Sequence, residues 1–204
     1  MHALAGRLEE PLPKPTRDPT GYAAARTLEA ILESLLALEF LRRGYTRNAA
    51  GKTFQAWRAL TAAILALKLE ELVKRLSREE GEWLARKGVT RVPTTRLKRL
   101  ARLVEKAGFS DYTHYISTAL DLHDYQYHGP DPDAELSKYP EEADAAADIL
   151  ELTEKLIMLV EEGVKPMLVE RGAWSTQHEE ALKALREALA ACRKNPQHLV
   201  PEDR

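Results

Sequence analysis

The chain has 204 residues, and its 30 basic and 32 acidic side chains leave a net charge of −2. This length allows a full hydrophobic core, and the balance of charges excludes a general attraction to nucleic acid or membranes. The single cysteine, Cys192, excludes an internal disulfide, and no apolar run approaches the roughly 20 residues of a membrane helix. We therefore expect a soluble, cytoplasmic protein with no signal peptide and no membrane partner.

The first half of the chain carries the patterns of two long helices. Residues 1–20 contain four prolines and predict an N-terminal tail. From Gly21 to Arg43 apolar residues recur at helical spacing, with Gly44 as a stop, and a second helix is predicted from Thr46 to about Leu76. The connection is too short to reach the far end of a helix, so we expect the two to be antiparallel.

Helix signals continue through the rest of the chain, and strand patterns are nearly absent. A short helix around Trp83 is predicted to break at Gly88, and the next helix extends from Thr94 or Thr95 to Gly108. A further helix is capped by Ser110 or Asp111 and stops at Gly129-Pro130, where a loop over residues 129–140 begins. The last two predicted helices cover residues 141–162, closed by Gly163 and Pro166, and Ser175 to about Arg193. We expect an all-α, antiparallel bundle of about five to seven helices over residues 21–170. An extra C-terminal helix and tail follow over residues 171–204.

Charged residues are unevenly distributed. Between Lys74 and Lys106, basic side chains outnumber acidic ones by more than two to one. Such a stretch is either a solvated helix surface or a contact for a phosphate backbone. The composition also includes eighteen Arg but only two Asn and four Gln, a balance typical of heat-adapted proteins.

Residues 111–133 are the richest in ligand-binding groups, because they hold three of the six histidines and four of the seven tyrosines. A helical projection places on the inner face Tyr112, Tyr115, Ile116, Ala119, Leu120, His123, Gln126 and Tyr127, and on the outer face His114, Ser117, Asp121, Asp124, Tyr125 and His128. We interpret His123 either as a core histidine with satisfied ring nitrogens or as the wall of a pocket.

A metal site on the outer face of this helix is a weaker hypothesis. Asp121, Asp124 and His128 follow i, i+3, i+7 spacing, which could bring their side chains together. Metal sites in helical bundles normally take ligands from several helices, often through Glu-x-x-His pairs, and this segment has no such pair. We therefore predict no metal and no cofactor.

The start of the second predicted helix combines positive and amide side chains. Arg47, Asn48, Lys52 and Gln55 lie near its N-terminus, where free N–H groups and the helix dipole favour anions. Gly51 permits the close approach of a ligand or of another helix. A Walker loop is excluded, because that motif requires a preceding strand. Capping and packing are the structural alternative for these residues.

Two segments resemble the archaeal PaREP family of helical proteins. They are GYTRNAAGKTFQAWRAL at residues 44–60 and YISTALDLHDYQYHGPDPD at residues 115–133, and the resemblance extends over residues 21–160. It implies membership in the HEPN-like group of helical bundles, named for nucleotide binding in higher eukaryotes and prokaryotes, and an archaeal source. The resemblance implies a fold rather than an activity.

Active members of that bundle group are ribonucleases, with an Arg followed after four to six residues by a His. Arg171 and His178 have six intervening residues, and Arg193 and His198 have four. Roughly 1.6 such matches are expected by chance in this composition, so the pattern carries little weight. Neither match lies in the segments that resemble the family.

We predict a non-catalytic module that binds a nucleotide or RNA between the second helix and the helix over residues 111–128. Tyrosines would stack on bases, and Arg47, Lys52 and Arg58 would meet phosphate. The predicted ligand-binding residues are Arg47, Asn48, Lys52, Arg58, Tyr112, Tyr115, His123 and Tyr127. One alternative is a ribonuclease or nucleotide hydrolase with His123 or His128 as the general base. Another is a homodimeric scaffold that pairs through apolar helix faces.

Overall fold

The computed structural model of the protein describes residues 11–194, which form helices joined by turns and contain no strand. The predicted all-α class is confirmed for this part of the chain, and residues 1–10 and 195–204 lie outside it. Its eight helices are α1 (Pro19–Arg42), α2 (Thr46–Leu67), α3 (Leu69–Val73), α4 (Arg78–Trp83, a π-helical turn at Leu84–Gly88, and Val89–Arg91), α5 (a 3-10 turn at Thr94–Arg96, then Leu97–Lys106), α6 (Tyr112–His128), α7 (Glu142–Leu159, a π-helical turn at Val160–Val164, and Lys165–Glu170) and α8 (Thr176–Lys194).

Local sequence signals explain how α1 and α2 begin and how they are joined. The Asp18 carboxylate accepts the Gly21 N–H at 2.7 Å, and Pro19 occupies the first turn, where its missing N–H costs nothing. Gly44 adopts a left-handed φ of +73°, which turns the chain sharply before α2 starts at Thr46. The two helices then pack against each other in opposite directions, joined by an ion pair of 2.9 Å between Lys52 and Glu33.

The second helix is shorter than predicted. It ends at Leu67 because Lys68 leaves the helical region, with φ −105° and ψ 6°, and α3 restarts at Leu69. The Leu67 carbonyl accepts a hydrogen bond of 3.1 Å from the Arg171 guanidinium. A side chain more than 100 residues away therefore satisfies this helix end, and no local pattern could have predicted the stop.

The predicted stop of α7 at Gly163 and Pro166 is wrong. The helix continues to Glu170 through the π-helical turn, and Pro166 falls in the first turn of the segment that follows. Proline is tolerated there because that N–H needs no helical partner. Gly163 serves packing instead, because a Cβ at this position would lie 2.5 Å from a ring carbon of Phe109.

Helix α2 lies at the centre of the bundle and contacts α1, α6 and α7. Trp57 is fully buried, and its ring lies 5.5 Å from the ring of Tyr112 and 5.4 Å from that of Tyr115. Helix α8 packs on α1 and α7, and its Leu182, Leu185 and Leu189 belong to the same core. The proposed division between a bundle and a C-terminal extension stays a prediction.

Within residues 11–194, none of the helices combines the length and the apolar character needed to cross a bilayer. Large exposed apolar side chains occur on separate elements, namely Leu12, Tyr45, Val73, Tyr127, Leu136 and Val169. The predicted homodimer stays a prediction, which sedimentation at micromolar concentration would test.

Candidate functional site

Helix α6 is rotated relative to the prediction. Tyr125, expected to face solvent, is fully buried, and its hydroxyl donates to Thr46 Oγ1 at 3.1 Å. Tyr127, expected to face the bundle, is 61% exposed. The cause is the loop after α6, which folds back so that the ring of Tyr139 packs 5.4 Å from that of Tyr125. The buried side chains of α6 are Tyr112, Tyr115, Ile116, Ala119, Leu122 and Tyr125.

His123 lies at the edge of the buried face, where it is partly exposed. Its ring stacks on Phe54 of α2 with the centroids 4.0 Å apart, and Tyr127 packs edge-on against it at 5.3 Å. Its Nδ1 is buried and has no hydrogen-bond partner among the described residues. Burial lowers the pKa of His123; Asp124 opposes this effect and Arg58 adds to it. The imidazole is therefore mainly neutral at pH 7, and its enclosed Nδ1 is not exposed to a ligand.

A cavity of about 500 Å³ opens where the N-terminal half of α2 meets the end of α1 and the end of α6. We call it the α2 cleft, and its lining residues are Phe40, Arg47, Asn48, Gly51, Lys52, Gln55 and Gln126. Gly51 makes room for the α6 side chain, because a Cβ at this position would lie 2.1 Å from Gln126 Oε1. The structure thus brings three of the predicted ligand-binding residues, Arg47, Asn48 and Lys52, into one cavity.

The cations of the cleft are held by protein groups. The Arg47 guanidinium donates to the backbone carbonyls of Gln126, at 3.1 Å, and of Tyr127, so it also satisfies the C-terminal end of α6. Lys52 pairs with Glu33 of α1. Because these partners position the cations, little side-chain freedom remains to be lost when an anion binds.

Arg58 marks one end of the cleft. Its guanidinium donates to Gln55 Oε1 at 3.0 Å and to the carbonyls of Arg91 at 3.3 Å and Val92 at 3.4 Å. It also lies 5.7 Å from the centroid of the Phe54 ring. Arg58 therefore links the cleft to the turn between α4 and α5, and it is not among the residues that line the cavity.

Buried charges continue along α1 beside Arg58. Arg26 pairs with Glu29 at 2.7 Å, and the two side chains are only 13% and 24% exposed. Burial raises the pKa of Glu29 despite the opposing effect of Arg26, and burial, aided by Arg26, lowers that of Arg58. One buried atom here, Arg26 Nε, has no hydrogen-bond partner among the described residues, and Glu33 Oε2 contacts Lys52 Nζ at 2.9 Å.

Tyr112 and Tyr115 do not reach the α2 cleft. Tyr112 is fully buried with its hydroxyl 3.0 Å from Thr61 Oγ1, and burial strongly raises its pKa. Tyr115 is 8% exposed and borders a second cavity, about 460 Å³ in volume, between the α5–α6 turn and α7. Of the three tyrosines predicted to stack on bases, only Tyr127 has a ring open to solvent beside the cleft.

A sequence model of the Archaeal PaREP1/PaREP8 family matches residues 25–150. The chain belongs to this family. The match extends from α1 into α7 and contains every residue that lines the α2 cleft, whereas α8 lies outside it. No curated protein and no solved structure matches the chain. The predicted PaREP membership is confirmed, and the HEPN-like grouping stays a prediction.

The outer side chains of α6 in this PaREP1/PaREP8 member remain apart from the cleft. Asp124 and His128 are exposed, and Asp121 pairs with Lys138 at 2.6 Å. Among residues 11–194, no group of three or more His, Cys, Asp or Glu side chains is arranged to hold a metal ion.

The pair with ribonuclease-like spacing, Arg171 and His178, makes structural contacts in this PaREP1/PaREP8 member. His178 Nε2 donates to the Ala24 carbonyl at 2.9 Å, so the neutral ring accepts at Nδ1 from the Ser175 hydroxyl at 2.8 Å. These bonds join α8 to α1, while Arg171 caps α2. The second pair, Arg193 and His198, lies partly outside the described residues.

Two cleft residues of this family member were missed by sequence reasoning as ligand contacts: Phe40 and Gln126. Gln126 was placed on the correct face of α6, but its position opposite Gly51 depends on the register between α2 and α6. Phe40 was assigned only to the apolar pattern of α1. Without the packing of the three helices, the sequence contains no signal that these side chains meet.

Proposed function

We propose that this PaREP1/PaREP8 member is a non-catalytic module that binds a nucleotide in the α2 cleft. The observation that carries the proposal is the lining of the cavity, in which two cations and three amide side chains surround about 500 Å³. Small-molecule sites usually enclose about 300–1,000 Å³. Amides offer both donors and acceptors to a base or a ribose, and cations match phosphate.

The N-terminal end of α2 suits the phosphate. Arg47 and Asn48 are exposed in the first turn, which contains no acidic side chain, and the residue that precedes the helix provides no side-chain cap. The first N–H groups of this helix of 22 residues are therefore available to an anion, and the helix dipole acts in the same direction.

The end of α6 suits the base. Tyr127 presents an exposed ring next to Gln126, and it packs against His123, which stacks on Phe54 one turn earlier. Stacking on such rings is sequence-tolerant and stabilises each base by about 1–3 kcal/mol.

We expect Lys52→Met to weaken nucleotide binding about tenfold, because a hydrogen bond to a charged group contributes about 1.5–3 kcal/mol. Binding would be measured calorimetrically at low salt with a panel of nucleoside mono- and triphosphates. Lys165→Met is the matched control: Lys165 is 32% exposed and paired at 2.7 Å, compared with 34% and 2.9 Å for Lys52.

Asn48→Ala provides a second test, because it removes an exposed amide from the cleft without breaking an ion pair. We expect weaker binding with unchanged thermal stability. If the wild-type protein binds none of the nucleotides, or if Lys52→Met and Lys165→Met reduce affinity equally, the proposal is wrong.

A nucleotide hydrolase or HEPN-like ribonuclease is the second candidate, and His123 is the observation that favours it. A neutral, partly exposed imidazole near a cleft is the form that a general base requires. If the protein cleaves RNA or nucleotides, we expect His123→Ala to slow cleavage by a factor of about 100 or more. His128→Ala is the comparison at an exposed site, and unchanged cleavage in both variants would exclude both histidines as the base.

A further inference from the structure

The segment over residues 86–102 is unusual in charge. It reads RKGVTRVPTTRLKRLAR and contains seven Arg or Lys side chains and no Asp or Glu. All seven are exposed, namely Arg86, Lys87, Arg91, Arg96, Lys98, Arg99 and Arg102. Because the whole chain has a net charge of −2, the residues outside this segment carry a net negative charge. We call it the basic segment.

The fold keeps these cations on the outside. Leu97, Leu100 and Ala101 face the core, whereas Lys98, Arg99 and Arg102 of α5 are exposed to water. Among the described residues, Arg99 alone of the seven makes an ion pair, with Glu80. Elsewhere on this protein, arginines are repeatedly paired with acidic residues one turn away, as in Arg26 with Glu29 and Arg42 with Glu39. Unpaired like charges repel one another, so the basic segment is costly unless an anion covers it.

The basic segment meets the α2 cleft at one point. Arg58 donates to the carbonyls of Arg91 and Val92, in the turn between α4 and α5, and also to Gln55, which lines the cleft. Gln55 and Arg58 are less than one helical turn of about 5.4 Å apart along α2. A strand that leaves the cleft past Gln55 therefore crosses directly onto the positive surface.

We infer that the α2 cleft takes one nucleotide of a single-stranded RNA, and that the phosphates next to it lie along the basic segment. This inference rests on the proposed function and specifies its ligand. A cavity of about 500 Å³ fits one unstacked nucleotide, which a single strand presents readily and a duplex does not. Stacking rings joined to a positive groove are typical of proteins that bind single strands.

The amides of the cleft favour RNA over DNA. The ribose 2′-hydroxyl is both a donor and an acceptor, and it is the group by which proteins distinguish the two nucleic acids. Asn48, Gln55 and Gln126 each carry a donor and an acceptor at the end of the side chain. An anionic membrane surface would match the cations but would leave this polar cleft unused.

The experiment compares two double variants of the full chain. Lys98→Gln with Arg102→Gln removes from the basic segment two exposed cations that have no acidic partner in the described part of the chain. Lys183→Gln with Lys194→Gln, the control, removes from α8 two exposed cations that make no ion pair within residues 11–194. Binding of a labelled oligouridylate of about ten nucleotides, of the same oligodeoxyuridylate and of UMP would be measured by fluorescence anisotropy, directly or by competition, at several salt concentrations.

We expect the basic-segment variant to bind the oligouridylate about tenfold more weakly at low salt. The slope of log affinity against log salt should fall by about 1.4, because each phosphate contact on a single strand contributes about 0.7. UMP binding should not change, since its single phosphate stays at the cleft. The α8 variant should behave like the wild type with all three ligands.

The outcomes separate this inference from the proposed function. The RNA assignment is wrong if the oligouridylate binds no more tightly than UMP, or if the two variants lose equal affinity for the oligouridylate. In either case the binding of UMP still supports the proposed nucleotide site. Equal affinity for the oligodeoxyuridylate also overturns the RNA assignment. Binding of the wild type and both variants to vesicles rich in phosphatidylserine would be measured by co-sedimentation. If the basic-segment variant keeps its RNA affinity but loses the vesicle binding of the wild type, the RNA assignment is wrong and the segment is a membrane contact. If neither UMP nor the oligouridylate binds to the wild type, the proposed function itself is wrong.

Discussion

Trp57→Ala should lower the free energy of unfolding by about 3–5 kcal/mol, as is usual when a large aromatic side chain is removed from a core. Trp57 is fully buried at the centre of the bundle and contacts Tyr112 and Tyr115. Its removal leaves a cavity between α2 and α6, the two helices on either side of the α2 cleft. Urea unfolding followed by far-ultraviolet circular dichroism measures the change.

Two further substitutions separate core packing from the mere loss of an indole. The Trp57 Nε1 is buried and lacks a hydrogen-bond partner among the described residues. Trp57→Phe should therefore cost less than Trp57→Ala, because it keeps most of the packing and removes an unsatisfied donor. Trp174→Ala removes a partly exposed indole near α8 and should cost least. If Trp57→Ala lost less than about 1 kcal/mol, α2 would not be the centre of the core.

His178→Gln should lower the free energy of unfolding by about 2–4 kcal/mol at neutral pH, because it disturbs a buried side chain with two hydrogen bonds. His178 is 5% exposed and joins α8 to α1 through the Ala24 carbonyl. Its Nδ1 accepts the Ser175 hydroxyl, so only the neutral ring makes both contacts. Urea unfolding at pH 7.5 should show this loss, and His128→Ala, at an exposed position, should show almost none.

The same residue makes stability depend on pH. Burial lowers the pKa of His178 below its ordinary value of 6.5, although the Ala24 carbonyl opposes the shift. Below pH 6.5 the unfolded chain therefore binds the proton more readily than the folded one. The contribution of the neutral imidazole is complete above pH 6.5 and is lost as the pH falls towards the folded pKa. We expect the difference in stability between the wild type and His178→Gln to shrink on acidification, and a constant difference would contradict this role.

The sequence predicted helix ends well where the chain carries its own signals. The stops at Gly44 and Gly129 follow from glycines with positive φ, which act within a few residues. The starts of α2 and α6 lie where they were predicted, although neither helix has a side-chain cap. Long-range contacts decided the other ends. Arg171 satisfies the end of α2, and the packing of Gly163 against Phe109 accompanies the continuation of α7.

The candidate site likewise contains residues that local sequence signals predicted and residues that long-range packing placed. Arg47, Asn48 and Lys52 were predicted together because three cleft contacts lie within six residues at one helix start. The prediction placed Tyr112 and Tyr115 in the site as well, yet the structure buries both side chains against Trp57. A pattern of tyrosines indicates polar aromatic surface, but it does not distinguish a buried hydroxyl with an internal partner from a ring open to a ligand.

The sequence by itself determined the helical class, the family and the cationic start of α2, because composition, periodicity and local motifs act over short distances. Only the tertiary structure decided which face of α6 is buried. Both faces carry tyrosines, so periodicity could not predict whether Tyr125 or Tyr127 is buried. Tyr125 is the buried one, because the loop after α6 packs Tyr139 against it. The meeting of Gln126 with Gly51 and of Glu33 with Lys52 likewise depends on helix register, which arises from packing between elements distant in the chain.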